Sequence, residues 1–162
     1  LYDRKFDLHK NANLFYDLKL GYTSSHTLAV DEIKQGSRVL DIGCGPGNFA
    51  RELRKKSCVL TGIDMYEPKD KGVFENFYLW DEAKDIFVQD LSSYDVVLLL
   101  DVIEHFKRPE AFLDSLRRCA RAKHPKLVVT TGNVAFFIVR LQLLRGRFNY
   151  GQRGILDITH SR

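Results

Sequence analysis

The chain has 162 residues, 44% of them apolar, which suits one domain with a core of its own. No apolar run reaches the ~20 residues that carry a helix across a bilayer, so a membrane span is not expected. The formal charge of +4 is unevenly spread, with 13 basic and 16 acidic side chains in residues 1–100 against 12 and 5 in residues 101–162. A basic half suits an anionic partner, but no dense Lys/Arg cluster with interleaved aromatics is present, and nucleic acid is not the expected one.

Residues 3–19 place Phe6, Leu14, Phe15 and Leu18 at helical spacing. After a break at Gly21–Ser25, Ser24 or Ser25 caps a second helix reaching about Lys34, with Leu28, Val30 and Ile33 directed inward. Tyr16, Tyr22 and His26 either line a substrate mouth or simply pack. Residues 38–42 form a first buried strand carrying Asp41. It breaks into Gly43-Cys44-Gly45-Pro46-Gly47, and a helix follows to about Lys56. This strand, glycine turn and helix start is the arrangement that aims backbone N–H groups at a ligand.

Residues 58–64 make strand two, which ends in Asp64, 21 residues past Gly43. At that separation a carboxylate reaches a ribose diol in a βαβ unit. Pro68 and Gly72 leave little room for a helix in 65–75. Strand three is Phe77–Trp80 ending at Asp81, or alternatively Ile86–Gln89 ending at Asp90. Tyr94–Leu100 is strand four, followed by Asp101–Phe106. Pro109–Ala122 is an amphipathic helix, and Lys126–Thr131 is strand five.

The expected fold is therefore α/β, a Rossmann-like, mostly parallel sheet with helices on both faces. Gly43, Asp64, Asp81, Asp101 and Thr131 would gather at the carboxyl ends of its strands. The apolar stretch Val134–Leu144 is expected as a buried or substrate-covering helix, and 146–162 as a ligand-facing loop. Within the single domain, 1–36 are leading helices, 37–131 the cofactor-binding core, and 132–162 the substrate side. Cys44, Cys58 and Cys119 are too scattered for a disulfide framework or a metal knuckle, which favours a reducing, cytoplasmic setting. No metal is expected, because Glu104-His105 has no second ligand pair.

Leu40-Asp41-Ile42-Gly43-Cys44-Gly45, Gly62-Ile63-Asp64, and Tyr94-Asp95-Val96-Val97 ahead of Asp101-Val102-Ile103-Glu104-His105 resemble the class I S-adenosylmethionine-dependent methyltransferases over residues 37–131. The turn is G-x-G-x-G, with Asn48 where a dinucleotide dehydrogenase would place its third glycine. The resemblance implies S-adenosylmethionine as cofactor, with Gly43, Gly45 and Gly47 forming the loop under it. Asp41 would hold the loop and the cofactor's ammonium end. Asp64 would take the ribose hydroxyls, with Met65 against adenine. The adenine amino group would meet Asp81, beside Trp80, with Asp90 as the alternative acid. Asp101 would face the transferred methyl, and His105 is either a base or part of a structural turn.

The tail, Thr131-Gly132-Asn133-Val134, then Tyr150 and Gly154–Arg162, resembles a subgroup found beside bacterial glycosyltransferase domains. This likeness implies a small-molecule or carbohydrate acceptor, methylated on oxygen. His160 would be the base, oriented by Asp157, with Asn133, Tyr150 and Arg162 binding substrate. The family sheet has seven strands and five are legible here, so the C-terminal strands, and other domains of a longer parent chain, are expected beyond Arg162. The rival readings are a nicotinamide-dependent oxidoreductase, a non-catalytic cofactor-binding module, and an RNA methyltransferase.

Overall fold

A computed structural model describes residues 22, 24–68, 70–81, 87–121, 123–148 and 155. Five strands, β1 (Arg38–Ile42), β2 (Val59–Asp64), β3 (Asn76–Leu79), β4 (Val96–Leu100) and β5 (Lys126–Thr130), form one sheet in the order β3-β2-β1-β4-β5. Every neighbouring pair is parallel. β4 reads as an unbroken apolar run, and β1 and β2 are mostly apolar, because both faces are covered. Along β1 and β4, Val39, Val96 and Leu98 face one cluster, while Leu40, Ile42, Val97 and Leu99 face the other.

Helices α1 (Ser25–Asp31) and α2 (Asn48–Lys55) supply the first cluster with Ala29, Phe49, Ala50 and Leu53. Helix α3 (Pro109–Cys119) supplies the second with Phe112 and Leu116. A final helix, α4 (Phe137–Leu144), follows β5.

Ser24 is the cap of α1. Its hydroxyl accepts from the Thr27 N–H at 3.2 Å, and its own N–H donates to Thr27 Oγ1 at 2.8 Å. The helix is shorter than its sequence pattern, and its buried face is His26 and Ala29, with Ile33 just beyond. Leu28 is exposed, contrary to the inward direction expected of it, because the face set by His26 and Ala29 turns position 28 outward. β3 begins at Asn76, and 87–89 are not strand, so the first of the two alternatives for strand three is the one formed. It stops at Leu79, where the chain turns into an aromatic cluster of Trp80, Phe87, Phe106 and Phe112 with ring centroids 4.7–6.0 Å apart.

Helix α4 is not buried. Only Val139 is covered, and the rest of its apolar side chains face outward. Among the described residues, no helix is long and apolar enough to cross a membrane.

Gly62, in the middle of β2, sets the closeness of the layers. A Cβ there would stand 2.9 Å from both Cys44 Sγ and a ring carbon of Phe74. Gly62→Ala should therefore lower stability by about 1–3 kcal/mol, read as a shifted denaturant midpoint with an unchanged slope.

Candidate functional site at the carboxyl ends of β1 and β4

In the order 3-2-1-4-5, the connections leave β1 toward β2 and β4 toward β5, so the chain diverges between β1 and β4. Open α/β sheets bind ligands at such a switch point. A cleft opens there, lined by Asp41 from β1, Gly43, Cys44, Gly45 and Pro46 from the loop, and Asn48 and Phe49 from α2. Leu100, Asp101 and Val102 form the β4 wall, and His26 of α1 closes the side. His26 is buried and packs on Phe49, with ring centroids 5.8 Å apart.

The loop is held inward. The N–H groups of Gly43 and Cys44 both donate to the carbonyl of Ile63, at 2.7 and 3.2 Å. That of Gly45 donates to Asp64 Oδ2 at 2.8 Å, and that of Gly47 to the carbonyl of Cys44 at 3.1 Å. Pro46 has no N–H to offer. The expected cradle of free loop N–H groups is therefore absent, because β2 takes up those of Gly43, Cys44 and Gly45 and the loop itself that of Gly47. Three glycines in the left-handed region make this path possible. A Cβ on Gly43 would press on Val102 at 2.3 Å, and one on Gly47 would reach Val73 at 2.9 Å. Gly45 meets nothing within 4 Å, so its open side faces the cleft.

What the cleft presents is carboxylate. Asp41 is 3% exposed, and no hydrogen-bond donor among the described residues reaches its side chain. Burial, reinforced by the nearby Asp64, lifts its carboxyl to about 7. Burial likewise raises Asp64, against the N–H groups of Tyr66, Gly45 and Met65 that favour its charge. The Cys44 thiol is pushed upward by burial and by both acids, which leaves it an inert filler of the turn. Helix α2 begins at Gly47 with no side-chain cap, so its N-terminal turn opens toward the cleft as the positive pole. A site with the buried Asp41, the half-buried Asp64 and one helix N-terminus suits a ligand carrying a cation and a carboxylate. A pyrophosphate would meet the two acids and none of the loop N–H groups.

A family profile described as "Methyltransferase domain" matches residues 14–156. The chain belongs to this methyltransferase family. A ubiquinone biosynthesis O-methyltransferase of Maricaulis maris is 32% identical over 137 residues, covering 76% of this chain and 51% of that protein. One from Vibrio campbellii is 32% identical over 109 residues, covering 62% and 43%. The chain spans about half the length of the curated relatives it matches. Among solved structures, a SAM-dependent methyltransferase from Aquifex aeolicus superposes with a TM-score of 0.50 at 22% identity, over 71% of this chain and 68% of that one. That likeness bears on the fold.

Within this methyltransferase fold, Asp41, Gly43, Gly45 and Asp101 meet at one cleft, and Asp64 joins them through its bond to Gly45. Gly47 serves the packing of the loop. Met65 lies exposed just past Asp64. Trp80 follows β3 with its ring in the aromatic cluster, and its buried Nε1 has no partner among the described residues. Leu79 pairs with Asp64 across the sheet, which puts Asp81 two residues beyond that edge. Asp90 instead closes its own turn, accepting from the N–H and hydroxyl of Ser92 at 2.9 and 2.8 Å.

Asp101 adopts a left-handed φ of 52° and is tied to β5. Its N–H donates to Thr130 Oγ1 at 3.0 Å, and the Thr130 hydroxyl donates back to Asp101 Oδ1 at 2.7 Å. His105 is exposed in a short 3-10 turn and does not line the cleft. Asn133 closes a turn before α4, accepting from the Ala135 N–H at 2.9 Å. Tyr16, Tyr150, Asp157, His160 and Arg162 lie outside the described residues. Among the described residues no cluster of three metal-type ligands occurs. His26, Asn48 and Phe49 are the cleft residues whose part sequence reasoning left open or missed. A hydrophobic spacing argument does not show which side of a short helix meets a loop.

The folded state holds a proton on Asp41 up to about pH 7, whereas the unfolded chain releases it near the ordinary 3.8. Stability from this group therefore falls as pH rises from about 4 to about 7, by roughly 2–4 kcal/mol, and is flat above. Thermal midpoints of the ligand-free protein should show that decline, and Asp41→Asn should remove it.

Proposed function

We propose that this chain binds S-adenosylmethionine in the β1–β4 cleft and directs its methyl group to an oxygen of a small-molecule acceptor. The observation that carries the reading is Asp41, a buried carboxylate with no hydrogen-bond donor among the described residues, in a cleft whose loop N–H groups are already bonded. Such a site is electrostatically incomplete until a cation arrives. When bound, S-adenosylmethionine supplies a methyl group already activated by its sulfonium.

The chain's own residues bind and align. Asp41 would meet the ammonium, and the N-terminal turn of α2 the carboxylate of the methionyl part. Asp64 would accept the ribose hydroxyls with the lone pairs not used by Gly45 and Tyr66. Asp81, two residues past the end of β3 that pairs with Asp64, is the acid we favour for the adenine amino group. Asp101, held by Thr130, would border the reacting end. With His105 off the cleft, His160 is the base we favour for the acceptor hydroxyl proton, oriented by Asp157. The names of the relatives support oxygen as the methylated atom. The finer reading, a carbohydrate acceptor, rests only on the tail motif.

Calorimetry with S-adenosylhomocysteine should show saturable binding that Asp64→Ala weakens by about 1–3 kcal/mol. Gly45→Ala should fold, with about 1–2 kcal/mol of backbone strain, yet bind far less cofactor because its new methyl enters the cleft. Binding of NAD with none of S-adenosylhomocysteine would overturn the reading. Radiolabelled methyl transfer to phenolic and to sugar hydroxyls separates the two acceptor classes, and cofactor binding with no transfer by the full-length protein would favour a non-catalytic module.

A further inference from the structure

Asp41 follows Val39 on the face of β1 that α1 and α2 cover. Its partners across the sheet are Gly62 of β2 and Leu98 of β4, neither with a polar side chain. The titratable groups about it are His26 from α1, Cys44 from the loop, Asp64 at the end of β2 and Asp101 just past β4. Helix α2 brings Asn48 and Phe49, which do not titrate, and no Lys or Arg is among the described residues that line the cleft.

The three acids differ in how their charge is supported. Asp64 accepts from the Gly45 and Tyr66 N–H groups at 2.8 and 2.9 Å, and Asp101 from the Thr130 hydroxyl at 2.7 Å. Asp41 has no such donor among the described residues and is the most deeply buried of the three. An empty cleft therefore keeps Asp41 protonated, and the arrival of a cation is what makes its ionised form tolerable.

We propose that Asp41 exchanges its proton for the ammonium of the cofactor, so that ligand uptake at this cleft releases one hydrogen ion. The inference rests on the reading of the cleft as an S-adenosylmethionine site. The Oδ–H bond breaks, its electron pair stays on the carboxylate, and the proton passes to water at the cleft mouth. The buried pair that results is neutral. Below about pH 7, where the empty cleft holds Asp41 protonated, the exchange opposes binding, and affinity falls about tenfold for each pH unit lost. Above that pH no proton remains to be displaced, and affinity is flat.

Calorimetry with S-adenosylhomocysteine tests this without methyl transfer. At about pH 6, titrations in buffers of different ionisation enthalpy should show about one proton released per site. Kd should fall about tenfold from about pH 5.5 to 6.5 and level off above about 7. Titration of the ligand's own amine has the opposite sign, because losing that charge weakens binding as pH rises. Protonation of His26 has the same sign as that of Asp41, since it sets a cation against the incoming ammonium. Two variants separate them: Asp41→Asn should bind with an affinity that does not change with pH, whereas His26→Gln should keep the slope. 5′-Methylthioadenosine, which has the nucleoside and no ammonium, should bind without releasing a proton. Saturable binding of S-adenosylhomocysteine with no proton release overturns the exchange and leaves the cofactor reading standing. So does a slope that survives Asp41→Asn, vanishes with His26→Gln or is shared by 5′-methylthioadenosine. Failure to bind S-adenosylhomocysteine at any pH overturns both.

Discussion

The carbonyl of Ile63, accepting from Gly43 and Cys44 together, is the bond on which the site depends. With the Gly45 N–H on Asp64, it draws the turn after β1 against the end of β2. The glycines are needed because the path they take puts φ in the left-handed region, and at Gly43 a side chain would strike Val102 as well. Once the turn is pinned there, α2 must start at the cleft, Cys44 must fill the space over Gly62, and Asp41 is sealed beneath. The local geometry of five residues thus fixes what three layers present to a ligand.

The electrostatic consequence separates this turn from a phosphate loop of similar sequence. A phosphate loop needs uncommitted N–H groups, because several weak dipoles must together replace the hydration of an anion. Here the Gly45 N–H stabilises the protein's own Asp64 and the others bond backbone carbonyls, and the field of the cleft is left to carboxylates. Asp41 holds its proton to about pH 7 because burial strips its charge of hydration and the nearby Asp64 opposes a second negative charge. The cleft suits a cation for the same reason that makes it costly to ionise when empty.

Much of this was legible in the residues. Strands buried on both faces show as apolar runs, and the acid ending β2 falls at the separation from Gly43 that a βαβ unit dictates. The family resemblance on residues 37–131 agreed with the profile match and with the parallel sheet. Three things were not legible. Whether the loop N–H groups point out or inward depends on the carbonyl of Ile63, 20 residues away, and no spacing encodes it. Leu28 has helical periodicity, but His26 takes the inward place, its ring packed at a tilt against Phe49. The apolar run of α4 reads as core by composition, since hydrophobicity alone cannot say whether an apolar face meets protein or something else. The tail residues Tyr150, His160 and Arg162 stay with the resemblance that suggested them.

The pair formed by Asp101 and Thr130 also acts as a check on strand register. In the observed pairing Leu100 stands opposite Thr130, and the hydroxyl reaches Asp101, the residue just past β4, which borders the cleft. Slipping β5 one residue in one direction would offer Val129, which has no hydroxyl. In the other direction Thr131 would arrive with its side chain on the opposite face of the sheet. Either error takes the Thr130 hydroxyl away from the Asp101 carboxylate beside the cleft. The outermost strand is thus proofread by the same residue that borders the site, and a mispaired sheet also fails to build the pocket.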